Sequence, residues 1–470
     1  MICIIKYLYL FKFLKMLKKI IIKSSIIIFV LILGISFVLG WKVIDGNYDK
    51  QNKVILFLKS IIPTHLSRKI RDTIFIIPDL KTQNKELLIQ VKKFEQGYEG
   101  NLFREKKLTL NQKEYNLKEF FLPFPRLDVR NGYYERTMSK RAHYLEIVND
   151  KIVCISGLGE IIFFQRENLL KEKLNQKTLK NNLTEILKNS SSDLVGIRDL
   201  YYENEKIYIS MISKNFKGYT INFYSADFNF EKLNFEIFFE TNEFWQNYNV
   251  FSGGRIERFD DDKILLSIGF SKEYLKPQDK NSVLGKIITV NKSSKKFEIM
   301  SMGHRNPQGL FFYKKKDLII NTEHGPKGGD EINFNFLKKN VVANFGWPEV
   351  SYGEAYPGEE KLFKANTFKA KHSELGFIEP FDYFVPAIGI SEVMFLDEKQ
   401  FDNKHNLYVA SLRAGSIYAY EVSEDFKKII SKNRLNFGNE RIRDMKYDKE
   451  NNILLLVLEF TPSIGVLKLN

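Results

Sequence analysis

Cysteine is nearly absent from this chain of 470 residues, which contains only Cys3 and Cys154. The sequence therefore offers no disulfide framework and no cysteine-based metal site. An uncharged apolar run lies between the two cysteines, so a chain that crossed a membrane there would hold them on opposite sides. Histidine is also scarce, with six residues, which leaves few candidates for a general base.

The overall composition excludes a disordered chain. Hydrophobic residues make up 44% of the sequence and charged residues 27%, as in ordinary globular proteins. The 40 Phe and 23 Tyr residues favour strands over helices. The formal net charge is +15, but the lysines are scattered along the chain. We interpret them as a solvated surface, and nucleic-acid binding is the less favoured alternative.

Charge is missing altogether from the stretch Ser24 to Gly40, which reads SSIIIFVLILGISFVLG and precedes Trp41. The run approaches the roughly 20 residues needed to cross a bilayer. Residues 1–23 contain six lysines and no acid, so the positive-inside rule places this basic tail in the cytoplasm. The sequence predicts a transmembrane signal anchor over 24–41 in a bacterial inner membrane, with the rest of the chain in the periplasm. A cleaved signal peptide and a buried core helix are the alternatives, and the small residues of a cleavage site are lacking.

After the anchor, residues 42–140 form a mixed linker region without a recognisable domain pattern. From Tyr144 onward the chain repeats a strand, a polar turn and a second strand. The repeated units begin at Tyr144, Asp199, Arg255, Gly309, Val393 and Arg443. Several units are followed by glycine and an apolar pair, so the repetition predicts an all-β, six-bladed propeller over 141–470. A β-sandwich, which has similar strands but no repeating unit, is the alternative.

One stretch between Gly303 and Gly353 stands apart, because it is polar and rich in glycine and proline. It contains GHRNPQG from Gly303, EHGPKGGDEIN from Glu323 and NFGWP from Asn344. An arginine such as Arg305 can fork onto a carboxylate or stack on a flat ring. The Gly325 and Pro326 carbonyls, with Asp330 and Glu331 nearby, suit a hard cation such as calcium. The alternative is a turn-rich loop whose charged residues pair for structure alone.

Together these three runs resemble the glucose/sorbosone dehydrogenase family, the quinoproteins that oxidise aldose sugars. The resemblance extends to SGGRI from Ser252, VPAIGIS from Val385, SLRAGS from Ser411 and RIRD from Arg441. It implies a six-bladed propeller that binds pyrroloquinoline quinone and calcium at one end of its axis, with a small-molecule sugar as substrate. The implied quinone contacts are Arg305, Asn306 and Arg413. The implied calcium ligands are Gly325 and Pro326 for a catalytic ion, and Glu331 and the Phe345 carbonyl for a structural one.

The chain departs from the family where a histidine should abstract the sugar proton. That position, just before the GGR segment, holds Phe251 or Val250, and neither side chain can act as a base. His143, His304 and His324 are the remaining candidates, so no catalytic residue is assigned. Glu392 stands where the family has a small glycine, and we expect it to crowd the pocket mouth. Two functions stay open: a sugar dehydrogenase, and a degenerate propeller that binds carbohydrate or an envelope partner without chemistry.

Overall fold

The computed structural model describes residues 101–110, 113–124, 142–356, 359–363, 367–438 and 440–469. The predicted basic tail and anchor lie outside these ranges. So do residues 54–66 and 87–95 of the linker region, whose sequences favour helices. Within them the chain is mostly strand, with one short α-helix, Leu183–Asn189. No helix in this part of the chain is long and apolar enough to cross a membrane.

The strands form six sheets, and the first strands of these sheets follow one another along the chain. Blade 1 contains β3 (His143–Val148), β4 (Lys151–Ser156), β5 (Ile161–Gln165), β6 (Lys177–Asn181) and β10 (Lys232–Leu233). Blade 2 contains β7 (Asp193–Glu203), β8 (Lys206–Asn215), β9 (Gly218–Asp227) and β11 (Glu236–Glu240). Blade 3 contains β12 (Gly253–Arg258), β13 (Lys263–Ile268), β14 (Lys286–Asn291), β15 (Phe297–Met302) and β19 (Ala343–Asn344).

The second half continues the pattern. Blade 4 contains β16 (Pro307–Tyr313), β17 (Leu318–Glu323), β18 (Asp330–Phe336) and β20 (Asp382–Phe384). Blade 5 contains β21 (Ile390–Phe395), β22 (Leu407–Ser411), β23 (Ser416–Val422) and β24 (Ile429–Asn436). Blade 6 contains β25 (Ile442–Asp448), β26 (Ile453–Leu458) and β27 (Ser463–Leu469), with β1 (Leu102–Leu110) and β2 (Lys113–Phe121) added outside.

The first strands of the blades pack in a closed ring. Each of β3, β7, β12, β16 and β21 contacts the first strand of the next blade, and β25 of blade 6 contacts β3 of blade 1. This closure confirms the predicted six-bladed propeller and excludes the β-sandwich. All six predicted units are the first two strands of a blade, joined by short polar turns except in blade 5, where the longer segment 396–406 joins β21 to β22. Between β7 and β8, for example, Asn204 and Glu205 both have positive φ, as a two-residue hairpin turn requires.

The hydrophobic core lies between neighbouring blades. One cluster joins Leu318 and Ile332 of blade 4 to Leu407 and Val409 of blade 5. Strands with one face on each neighbouring sheet must be apolar on both faces, which explains runs such as ILLLVL in β26. The blades therefore pack through buried side chains, and the loops at the end of the ring are free to carry polar groups.

Blade 6 is closed by a hairpin from the region that the sequence placed before the propeller. Strand β2 pairs antiparallel with β27, and β1 pairs with β2. The Tyr115 hydroxyl donates to Asp402 of blade 5 at 3.3 Å, and His405 Nδ1 contacts the same carboxylate at 2.5 Å. The propeller therefore begins no later than Leu102 rather than at residue 141, and it includes 108–121, part of the predicted linker region.

Candidate functional site

The loops that carry the unusual motifs meet at one end of the ring. They enclose a cavity of about 10 Å³, which is about the space that one water molecule occupies. Its lining is formed by Gly303, Arg305, Glu323, His324, Gly325, Pro326, Glu331, Phe345, Trp347, Val350, Ser351 and His372. The structure thus brings together all four predicted calcium ligands and one predicted quinone contact.

The loop from Gly325 to Gly329 is tightly folded, with the Gly328 and Gly329 carbonyl oxygens close to Gly325. A side chain on Gly325 would place its Cβ 2.1 Å from the Gly329 carbonyl oxygen and 2.4 Å from that of Gly328, so only glycine fits. Asp330 holds the loop, because it accepts the Gly325 N–H at 3.2 Å and the Ile390 N–H at 3.0 Å. Burial raises the pKa of Asp330 to about 6, although these backbone donors oppose the rise.

Two buried carboxylates beside the cavity already have partners. Glu323 accepts the Arg305 N–H at 2.7 Å and the Asn333 side-chain amide at 2.7 Å. Glu331 lies 3.3 Å from the His372 ring nitrogen Nε2, and burial raises the pKa of its carboxyl. In the described ranges, no group of three or more His, Cys, Asp or Glu side chains is arranged to hold a metal ion.

Arg305 is caged by aromatic rings. Its guanidinium carbon lies 4.6 Å from the ring centre of Phe251, 5.3 Å from that of Trp347 and 5.7 Å from that of Phe270. Nη1 donates to the His324 carbonyl at 2.9 Å, whereas the buried Nε has no hydrogen-bond partner among the described residues. The residue is 4% exposed, and no described carboxylate forms an ion pair with it. Burial lowers the pKa of this guanidinium.

The three candidate histidines are all engaged. His143 Nε2 lies 3.2 Å from the Leu458 carbonyl. His304 lies between the Ser301 hydroxyl at 2.8 Å and Glu323 at 3.1 Å. His324 Nε2 is 2.5 Å from the Ile390 carbonyl, and burial, with the nearby Arg443, lowers its pKa to about 3. None of these rings is placed to accept a proton from a substrate at the cavity mouth.

A second cationic group lies beside Asn306. Arg441 and Arg443 share one carboxylate, Glu459, through contacts of 3.1 and 2.6 Å. Arg443 also donates to the Gln308 side-chain oxygen at 2.9 Å, and the Gln308 amide donates to Asn306 at 3.1 Å. Two guanidinium groups therefore share one negative charge at the same end of the ring as Arg305.

The glucose/sorbosone dehydrogenase family model matches residues 159–461, which is most of the propeller. The chain belongs to the glucose/sorbosone dehydrogenase family. The aldose sugar dehydrogenase YliI of Escherichia coli is 26% identical over 222 residues, which cover 44% of this chain and 57% of that protein. The chain spans about two thirds or less of the length of the curated relatives that it matches.

Solved structures show the same fold. A crystal structure of a glucose dehydrogenase has a TM-score of 0.57 and 18% identity, and the match covers 72% of this chain and 97% of that one. The PQQ-bound aldose sugar dehydrogenase of Streptomyces coelicolor has a TM-score of 0.50 and 16% identity, with 69% and 93% covered. The predicted family resemblance is thereby confirmed, although the family match begins after β1 and β2.

The other residues that the sequence singled out, Asn306, Arg413 and Glu392, do not line the cavity. Asn306 is buried and accepts the Gly253 N–H at 3.2 Å. Arg413 is exposed on the loop that precedes β23, and its N–H donates to the Ile388 carbonyl at 2.9 Å. Glu392 does not crowd the pocket mouth as expected, because it is 3% exposed and forms a buried ion pair with Arg255.

Sequence reasoning missed His372, Trp347 and Phe270 as neighbours of the site. His372 comes from a long loop between β19 and β20 that has no recognisable motif. Trp347 stood in the quoted NFGWP run, but nothing in that run showed that its ring would contact Arg305. Contacts between residues this far apart in the chain depend on how the loops of neighbouring blades pack, which a local pattern does not specify.

Proposed function

We propose that this chain binds pyrroloquinoline quinone beside a calcium ion at this end of the propeller and oxidises an aldose or a related alcohol. The observation that carries the proposal is the buried guanidinium of Arg305, which has no carboxylate partner among the described residues. A buried cation of this kind destabilises the folded protein unless an anion pairs with it. A flat quinone with carboxylate groups supplies both the charge and a planar surface.

The other cationic groups fit the same ligand. Arg441 and Arg443 keep a net positive charge after Glu459 is counted, and the exposed Arg413 adds another. Asn306 completes the predicted set and is held in place by Gln308. A bound quinone would supply the two-electron acceptor for oxidation of the alcohol carbon. The chain's own residues bind and orient it.

Calcium fits the first predicted position better than the second. Gly325 and Pro326 line a cavity large enough for one small ion, and backbone oxygen is a ligand that calcium prefers. The second position fits less well, because Glu331 already has His372 as its partner. Arg305 lines the same cavity, so a calcium ion there would need further negative charge, which the quinone carboxylates would supply.

The second candidate function is a propeller that binds without oxidising, and the position of Phe251 favours it. The guanidinium of Arg305 lies over this ring, and Phe251 or Val250 stands where the family's base is expected. The candidate histidines, His143, His304 and His324, are engaged with other groups. Loss of a general base costs about 10²–10⁴-fold in rate. A carbohydrate or an envelope partner would then be the bound molecule.

We also propose that the propeller is held at the periplasmic face of a bacterial inner membrane by the anchor over 24–41. The uncharged run and the lysine-rich tail before it support this orientation. Labelling of a cysteine introduced at exposed Phe216 tests it in whole cells. A reagent that cannot cross the inner membrane should label this cysteine, and labelling only after cell lysis would contradict the proposed orientation.

Reconstitution of the full-length chain with calcium and pyrroloquinoline quinone separates the two functions. A dehydrogenase gives quinone binding and dye reduction that depends on added aldose. A binder gives quinone binding without dye reduction at any aldose concentration. Absence of quinone binding would overturn the cofactor site and leave the fold as the only property shared with the quinoproteins.

A further inference from the structure

The hairpin formed by β1 and β2 lies outside the part of the chain that matches the family, yet it reaches the arginine loop of the site. Its Arg104 contacts Glu119 of the same hairpin at 2.5 Å and Glu440 of blade 6 at 3.6 Å. Lys106 lies 3.6 Å from Glu119 and donates to the Phe437 carbonyl at 3.5 Å. The hairpin thus brings two cations to a buried pair of carboxylates.

Glu440 connects this cluster to the arginine loop. One of its oxygens accepts the N–H of Arg441 at 3.0 Å, that of Phe460 at 2.9 Å and that of Thr461 at 3.3 Å. The same carboxylate therefore fixes two loops, one before β25 and one before β27. Both Glu119 and Glu440 are almost fully buried, so their charges depend on the hairpin cations.

From these loops the contacts continue to the quinone-binding residues that we propose. Glu459, just before Phe460, holds the side chains of Arg441 and Arg443. Arg443 reaches Gln308, and Gln308 reaches Asn306, which neighbours Arg305 in the chain. The links from Glu459 through Arg443 and Gln308 to Asn306 are direct hydrogen bonds, whereas Phe460 and Arg305 are reached through the backbone. Each buried hydrogen bond restricts the rotamers of the next residue.

We propose that Arg104 and Glu119 are positioning residues, which hold Glu440 and through it orient Arg441 and Arg443 toward the bound quinone. This inference rests on the proposed function for its ligand, but the positioning of the loop can be measured without it. A segment outside the family match would then be a required part of the family's site in this chain.

The test uses the full-length chain and two variants of the hairpin. Arg104→Gln removes the cation that faces Glu119 and Glu440. Lys107→Gln is the matched control, because Lys107 pairs with exposed Glu114 at 3.0 Å on the same hairpin. We expect Arg104→Gln to speed hydrogen–deuterium exchange in peptides that cover 440–443 and 459–461, and to raise the dissociation constant for pyrroloquinoline quinone about tenfold. Arg104→Lys should restore most of both properties.

The outcomes separate this inference from the proposed function. Unchanged exchange in Arg104→Gln overturns the positioning role, whether or not the chain binds quinone. Faster exchange with an unchanged dissociation constant overturns the link to the ligand. If the wild-type chain binds no quinone, the proposed function fails and with it the quinone half of the inference, whereas the exchange result still decides whether the hairpin orders the arginine loop.

Discussion

The guanidinium of Arg305 lies 4.6 Å from the ring centre of Phe251, and Phe251 or Val250 stands where the family's base is expected. A cation over an aromatic face is attracted by the ring quadrupole, and the attraction grows when both are desolvated. Phe251 therefore helps to hold the cation that we propose for quinone binding. At this position the side chain contacts the cation proposed to bind the quinone but cannot abstract a proton from the sugar.

Phe251→His should restore the missing base while keeping a flat ring near Arg305. We expect aldose-dependent dye reduction to rise by about 10²–10⁴-fold over the wild-type chain with quinone and calcium present. Phe251→Leu is the control, since it removes the ring without adding a base. It should show no gain in dye reduction and weaker quinone binding. A Phe251→His variant that binds quinone but stays as inactive as wild type would show that more than the base is missing.

Gly325→Ala should disturb the calcium position through sterics alone. The added Cβ would lie 2.1 Å from the Gly329 carbonyl oxygen, so the loop that presents the oxygens must move. We expect the rise in melting temperature on adding calcium and quinone to be largely lost, because ligand binding stabilises only the intact site. Pro326→Ala keeps its carbonyl and should retain most of that rise. Equal behaviour of the two variants would argue against a carbonyl-based ion site.

The six blades could be predicted from the sequence because each repeated unit is formed by residues that lie close together in the chain. Strand, polar turn and second strand lie within about twenty residues, and side-chain alternation fixes which face is buried. The site was only partly accessible. The motif runs carried Arg305, Gly325 and Pro326, but the contact of Phe251 with Arg305 and the pairing of Tyr115 with Leu469 join distant parts of the chain. Such contacts depend on how neighbouring blades pack and on which strand completes a sheet, which no local pattern encodes.

Glu440→Gln should flatten the pH dependence of stability. Burial, with the neighbouring Glu119, raises the pKa of Glu440 from 4.5 to about 7 in the folded chain. A raised carboxyl pKa contributes stability that is fully present below the unfolded value and is lost as the pH rises through the folded value. Wild type should therefore lose stability on the order of 3 kcal/mol between about pH 4.5 and pH 7 through this group.

Urea unfolding at pH 5 and pH 8 measures this effect. Glutamine keeps the acceptor oxygen for the three backbone donors, so the Glu440→Gln variant should fold and lose much less stability over the same interval. Glu114→Gln, which changes an exposed carboxylate of the same hairpin, should behave as wild type. A pH dependence as steep in Glu440→Gln as in wild type would contradict the assignment.

Tyr115→Phe should weaken the closure of blade 6 onto blade 5. The variant loses the hydroxyl that donates to Asp402 at 3.3 Å, and a hydrogen bond to a charged acceptor contributes about 1–2 kcal/mol. Thermal unfolding should show the loss. Tyr447→Phe removes an exposed hydroxyl bond to Asn452 at 2.9 Å and should change the melting temperature much less. If both substitutions lowered the melting temperature equally, the Tyr115 contact would contribute no more to stability than an exposed hydrogen bond.

Equilibrium titration of the full-length chain with pyrroloquinoline quinone, in the presence of calcium, tests the central claim most directly. The account predicts saturable binding that Arg305→Gln weakens at least tenfold and that Arg305→Lys weakens less, because lysine keeps the charge and loses only the fork. Arg258→Gln, at a half-exposed arginine outside the site, should bind as wild type. If quinone binding is absent, or is equally strong in wild type and Arg305→Gln, the proposed quinone site at Arg305 is contradicted.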